Sequence, residues 1–150
     1  MASRLLGALL LALLAVPVPA AGPEINPPLP TGTLTIAGRV TVTVELARSP
    51  LEQTRGLSHR PRLAEGRGMA FVYVAPQPVG IWMKDMRFPL DILWVREGRI
   101  VKIEKAAPPL APGAPERVYT ATADLVLEVP AGFTDRARVR VGDRVTLRAP

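Results

Sequence analysis

Five residues of the chain have the chemistry to bind or transform a ligand, and four of them fall within ten positions. They are Arg55, Trp82, Lys84, Asp85 and Asp91. A partly buried cation beside Trp82 would form a pocket for an anion or a sugar, because the indole can stack and the cation can donate a charged hydrogen bond. These five residues are therefore the predicted ligand-binding surface.

The same charges also have a structural interpretation. Lys84 continues one apolar run and Asp91 lies inside another, and a charge near a core is costly unless it is paired and hydrogen-bonded. In that interpretation Lys84 or Arg55 pairs with Asp91 and fixes the turn at residues 88–89. A third hypothesis makes Asp85 and Asp91 the acid and base of a glycan hydrolase. The residues leave all three open, and no catalytic residue is assigned.

Other kinds of site find little support in the sequence. His59 is the single histidine and the chain has no cysteine, so the usual ligands of zinc and copper are missing. The glycines follow no phosphate-binding pattern, and no G-x-S-x-G segment indicates a hydrolase. We therefore predict neither a metal site nor a cofactor.

Charge and length describe one mildly basic domain. The 150 residues fit a single domain, and the formal net charge is +6. Because the basic residues are spread among acidic ones, they favour a solvated surface over a nucleic-acid interface.

The N-terminal residues predict export. Arg4 precedes twelve consecutive apolar residues at 5–16, and Val18 and Ala20 are small residues suited to cleavage after Ala20. We predict a signal peptide at 1–20 and a secreted or periplasmic protein, with membrane contact only through this segment if it stays uncleaved. Residues 21–32 are rich in proline and predict an extended linker.

The rest, residues 33–150, alternates strand and turn signals. The predicted strands are 33–36, 39–47, 68–74, 80–83, 90–95, 99–106, 124–130 and a terminal strand within 141–148. A short helix should follow Ser49, since Pro50 suits its first position, Glu52 completes a capping box and Gly56 can end it. A second short helix is predicted within 131–139. The fold class is α+β and β-rich, a compact single domain of about six to eight short strands, in a sheet or a partly closed barrel, with one or two short helices.

An ordered set of short motifs resembles the prokaryotic family known as domain of unknown function 192. The set consists of Arg55-Gly56-Leu57, Gly68-Met69 with Phe71, Trp82-Met83-Lys84, Pro89-Leu90-Asp91-Ile92, Glu128 with Gly132, and Gly142-Asp143. The resemblance runs from about Val42 to Val145. It implies a small β-rich domain, often exported, without an established activity. Asp85 departs from the asparagine usual in this family and adds a negative charge beside Lys84.

The preferred prediction is an exported, non-enzymatic domain that binds a small ligand or a partner in the cell envelope. Its contact surface would lie around Arg55, Trp82, Lys84, Asp85 and Asp91. The alternatives are an envelope glycan hydrolase that uses Asp85 and Asp91, and a scaffold whose charges are purely structural.

Overall fold

In the described part of the chain the fold is a seven-stranded sheet with two short helices. The computed structural model describes residue 22 and residues 24–150, so the predicted signal peptide, 1–20, lies outside the described residues. The elements are β1 (Thr31–Ile36), β2 (Val40–Ala47), α1 (Pro50–Arg55), β3 (Arg67–Trp82), β4 (Leu90–Arg96), β5 (Arg99–Ala107), β6 (Val118–Pro130), α2 (Phe133–Arg136) and β7 (Val145–Arg148). The predicted fold class is confirmed.

The sheet curls until its two outermost strands meet. Its order is β5-β4-β6-β3-β2-β1-β7. Neighbours are antiparallel except β2 and β3, which are parallel and are connected through α1. Arg99 at the start of β5 forms a bridge with Arg144, and the Val145 N–H donates to the Gly98 carbonyl at 2.8 Å. The sheet is therefore a partly closed barrel, one of the two predicted forms.

Local sequence signals account for the second hairpin and for α1. Glu97 and Gly98 join β4 to β5 with φ angles of 50° and 72°, and a type I′ turn requires positive φ at both positions. The Ser49 hydroxyl accepts a hydrogen bond from the Glu52 N–H (3.3 Å), and the Glu52 carboxylate accepts one from the Ser49 N–H (2.8 Å). The predicted capping box is confirmed, and Gly56 caps the end of the helix as predicted.

β3 differs from the prediction of two strands, 68–74 and 80–83, separated by a turn. It is one strand of 16 residues, and its register against β6 shifts between Val72 and Gln77. Because β2 pairs only with residues 67–71, the half of β3 that contains Pro76 and Pro78 has one unpaired side. Proline is tolerated on such an edge, so the prolines mark an irregularity and not a turn.

The N-terminal segment before β1 packs against the domain. Residues 24–30 have no regular secondary structure, but Leu29 is buried in the core and the Leu46 N–H donates to the Pro30 carbonyl at 2.9 Å. Asn26 is also buried, and its side-chain amide donates to the Glu52 carbonyl at 2.8 Å. The segment predicted as a linker is thus fixed to the domain along its second half.

One face of the sheet carries the residues of the candidate site. Each face has its own apolar cluster; Ile92 of β4 belongs to one and its neighbour Leu93 to the other. In the register of the sheet Glu128 of β6 lies opposite both Met69 and Ile92, so it is on their face. Leu57 is buried in the same cluster and brings the end of α1 over that face. No described helix has the length and apolar character that crossing a membrane would take.

Candidate functional site

A cavity of about 420 Å³ lies between α1 and the face of β3 and β6. Its walls are largely aromatic and apolar, with Phe71, Tyr73, Ile81 and Trp82 all contributed by β3. Glu128 also lines it although only 4% of this residue is exposed, so the carboxyl lies at the closed end of the cavity. We call this space the Glu128 cavity. Its size and apolar lining with a few polar groups are typical of small-molecule sites.

Glu128 is the most perturbed ionisable group in the described residues. Its Oε2 atom is buried and has no hydrogen-bond partner among them. Burial raises the pKa of Glu128 to about 8, and the nearby positive charge of Arg60 offsets only part of this effect. The carboxyl is therefore mainly protonated at neutral pH and can donate a hydrogen bond to a ligand.

Arg60 leaves Glu128 without a direct ion pair because it binds Glu45. Its two terminal nitrogens donate to the two carboxylate oxygens of Glu45 at 2.5 and 2.8 Å, in a largely buried bidentate pair. This hydrogen bonding lowers the pKa of Glu45 despite the opposing effect of burial. Burial also raises the pKa of Tyr73, which keeps its phenol protonated beside Glu128. At its closed end the Glu128 cavity thus offers neutral hydrogen-bonding groups and, among the described residues, no unpaired cation.

Four of the five predicted ligand-binding residues come together at a shallower space outside the cavity. Arg55, Trp82, Lys84 and Asp85 line this space of about 290 Å³, which we call the outer depression. Arg55 and Trp82 line the Glu128 cavity as well, so the two spaces share a wall. The Lys84 ammonium lies 5.4 Å from the centroid of the Trp82 ring, but half of this lysine side chain is exposed.

Each basic side chain that lines the outer depression has an acidic side chain within 4 Å. Arg55 binds Glu24 at 2.9 Å. Lys84 lies 3.7 Å from Glu116. The His59 ring lies 3.9 Å from the Asp85 carboxylate. All of these acids are more than half exposed, so the pairs are screened by solvent.

Asp91 is separated from the other four, and the prediction that it pairs with Lys84 or Arg55 is wrong. It is fully buried and accepts four hydrogen bonds: from the N–H groups of Ala106 (2.9 Å), Gly132 (3.1 Å) and Thr134 (2.9 Å), and from the Thr134 hydroxyl (2.7 Å). Burial alone raises the pKa of Asp91, but these hydrogen bonds outweigh it and the pKa lies below its ordinary value. Asp91 therefore ties β4 to the start of α2.

The geometry excludes Asp85 and Asp91 as the paired carboxylates of a hydrolase. Asp85 is exposed at the outer depression, whereas both oxygens of Asp91 are occupied and none of its surface is exposed. Ser58 also lines the cavity, but its hydroxyl donates to the Lys84 carbonyl (3.3 Å). Within the described residues no group of three or more acidic or histidine side chains is arranged to hold a metal ion.

The central residue of the cavity, Glu128, is not among the predicted site residues. It occurs in the run Leu125 to Val129, in which the four other residues are buried and apolar on both faces of the sheet. A single carboxylate in such a run is expected to be buried, and a buried carboxylate is costly unless it has partners. This is the sequence signal that points to Glu128. Phe71, Tyr73 and Ile81 carry no comparable signal, because aromatic and β-branched side chains in a strand usually belong to the core.

Comparisons with known proteins support the family resemblance. Residues 32–147 match the model of the family domain of unknown function 192, described as "Uncharacterized ACR". No curated protein is significantly similar. A crystal structure titled as a proposed transcription regulator from Sinorhizobium meliloti 1021 has 31% identity and a TM-score of 0.74, covering 81% of this chain and 97% of that one. A protein of unknown function from Novosphingobium aromaticivorans DSM 12444 has 32% identity and a TM-score of 0.73, covering 85% and 94%.

Proposed function

The chain belongs to the family domain of unknown function 192, and on that premise we propose that it is an exported, non-enzymatic domain that binds a small molecule in the Glu128 cavity. The observation that carries the proposal is Glu128 itself, a buried carboxyl on the wall of a 420 Å³ cavity, with one oxygen that lacks a hydrogen-bond partner among the described residues. A buried polar group without a partner is expensive, and such a group beside a cavity is typical of a binding site.

The composition of the cavity favours binding over catalysis. Glu128 is the single carboxyl that lines it, so a pair of carboxylates for acid and base roles is lacking in this part of the structure. The Ser58 hydroxyl donates to the Lys84 backbone carbonyl and not to a histidine that could take its proton as a base. What the lining offers is apolar contact, one protonated carboxyl, a phenol and the guanidinium of Arg55, which together hold and orient a ligand.

Export is supported by the sequence of residues 1–20, where a cation, a twelve-residue apolar run and small residues at Val18 and Ala20 follow one another. Expression of the full chain in a bacterial host, followed by fractionation and N-terminal sequencing, tests this part. We expect a periplasmic or secreted product that begins at Ala21. A product that stays in the cytoplasm with its N terminus intact would contradict it.

Binding can be tested by screening small aromatic and apolar compounds against the ¹⁵N-labelled protein by NMR. Compounds that bind should shift the backbone amides of the cavity, such as those of Phe71, Tyr73 and Glu128. A Thr54→Trp variant, which places a large side chain at the mouth of the cavity, should abolish these shifts. Thr41→Trp is the matched control, because Thr41 is exposed and does not line the cavity. The proposal fails if no compound shifts the cavity amides, or if both variants bind equally well.

A further inference from the structure

We infer that the ligand is an organic monocarboxylate with an apolar body, and that its carboxylate replaces the carboxylate of Glu24 on the Arg55 guanidinium. This inference rests on the proposed function and adds the chemical class of the ligand. Three observations carry it: the position of Arg55 between the two spaces, the geometry of its pair with Glu24, and the contrast between the mouth and the closed end of the cavity.

Arg55 lies where a ligand in the cavity would emerge. It lines both the Glu128 cavity and the outer depression, and 24% of its side chain is exposed. Its guanidinium remains charged at any physiological pH and presents donors in a planar fork that matches a carboxylate. A molecule whose apolar part fills the cavity can therefore place an anionic end group on Arg55.

Glu24 already shows how a carboxylate binds there, and it binds imperfectly. The Arg55 Nε and Nη2 atoms both donate to the same oxygen of Glu24, at 3.2 and 2.9 Å. The stronger arrangement is bidentate, with two parallel hydrogen bonds to two oxygens, as Arg60 makes with Glu45. A free carboxylate ligand can adopt the bidentate arrangement, because it is not attached to the N-terminal segment.

The pair with Glu24 is also weak enough to be displaced. The Glu24 side chain is 64% exposed and belongs to a segment without regular secondary structure. An exposed ion pair of this kind contributes little, so its replacement costs a ligand only a small part of its affinity.

The closed end of the cavity limits the ligand to one negative charge. Glu128 is buried there, and a second anionic group beside it would be repelled whenever this carboxyl is ionised and would be poorly solvated in either case. Phe71, Ile81 and Trp82 supply apolar contacts between the two ends. The expected ligand is therefore anionic at the mouth, apolar in the middle and neutral at the closed end.

The test compares 2-naphthylacetate with 2-naphthylacetamide, which have nearly the same shape and differ in charge. Isothermal titration calorimetry at pH 7 should show that the carboxylate binds about tenfold more tightly than the amide, since charged hydrogen bonds are stronger than neutral ones. Glu24→Gln should tighten binding of the carboxylate about two- to fivefold and leave the amide unchanged. Arg55→Gln should remove the difference between the two probes, and Glu24→Gln should then have no further effect.

Glu65→Gln is the matched control. Glu65 pairs with Arg136 at 2.8 Å in an exposed ion pair away from the cavity, and this substitution changes the net charge as Glu24→Gln does. It should leave both affinities unchanged, which separates the local effect from general electrostatics. Thermal melts of each variant establish that it is folded.

Equal affinity for both probes, or a Glu24→Gln variant that binds the carboxylate no more tightly, overturns the inference and leaves the proposed function standing. Failure of both probes to bind at millimolar concentration also overturns it, and the NMR screen then decides separately whether the cavity binds any small molecule. Tighter binding of the carboxylate in Glu24→Gln, with no change in Glu65→Gln, supports it.

Discussion

Replacing Glu128 with Gln should change how the stability of the protein depends on pH. Burial raises the pKa of Glu128 from its ordinary value of 4.5 to about 8. Between these two values the unfolded chain releases this proton while the folded protein keeps it. Because the folded state then binds more protons, the free energy of unfolding falls as the pH rises through this window. The loss is absent below pH 4.5 and complete above pH 8.

The size of the effect follows from the shift. One pKa unit corresponds to about 1.4 kcal/mol, so the destabilisation is roughly 3 kcal/mol at pH 7 and roughly 4 kcal/mol at pH 8, where the folded carboxyl is half ionised. Gln has nearly the shape of the protonated acid but does not titrate. Any effect of the new amide on the free energy of unfolding is the same at every pH. The test therefore compares how steeply the free energy of unfolding changes with pH in the two proteins, and not its absolute value.

Urea unfolding of both proteins at pH 5, 6, 7 and 8 measures this slope. The Glu128→Gln variant should gain roughly 2.5 kcal/mol relative to the parent between pH 5 and pH 7. Asp91 and Glu45 have lowered pKa values, so the stability that they contribute is lost at acid pH, outside this window. Glu65→Gln controls for the loss of a surface charge. Parallel pH profiles for the parent and the Glu128→Gln variant would refute the assignment of a buried, protonated carboxyl.

Three further substitutions have defined outcomes. Asp91→Asn places an amide among four hydrogen-bond donors and should lower the free energy of unfolding by about 3 kcal/mol, measured by urea unfolding; a parent-like value would contradict the role of Asp91 in fixing α2. Lys84→Met should change the thermal midpoint by only a few degrees, because its contact with Glu116 is exposed; a fall of about 10 °C or more would show a buried partner. Asn26→Ala removes the two hydrogen bonds from its side chain to carbonyls at the end of α1 and should cost about 1–2 kcal/mol in the same assay; an unchanged stability would mean that the N-terminal segment is not held there.

The elements that could be predicted are those set by local signals. Alternation of apolar and polar residues predicts the first hairpin, two apolar runs around the turn at 96–99 predict the second, and the capping box of Ser49 and Glu52 predicts α1. The sequence wrongly predicts two strands in place of β3, because the cost of a proline in a strand depends on whether another strand pairs with that side of it. That pairing is decided by where β2 ends, at Ala47, and it is a property of the assembled sheet.

Proximity along the chain also explains why part of the predicted residue cluster comes together in space. Trp82, Lys84 and Asp85 are close along the chain and so remain close in space. The partners of Asp91 could not be read from the sequence, because three of its four hydrogen bonds come from backbone N–H groups, which every residue type except proline carries. Which carboxylate faces a cavity is likewise fixed only when α1 packs over β3 and β6.

Asp91 and Glu128, the two buried carboxylates among the described residues, show how an acid that holds the fold together differs from one that we propose binds a ligand. Both sit in strands among apolar residues, and burial acts on both in the same direction. Asp91 receives four hydrogen bonds and stays ionised as part of the fold. Glu128 has an oxygen without a partner, although Arg60 is close enough to lower its pKa and is held instead by Glu45. A leucine would remove the cost of Glu128, so the retained carboxyl is better explained by a ligand that completes its hydrogen bonds than by stability.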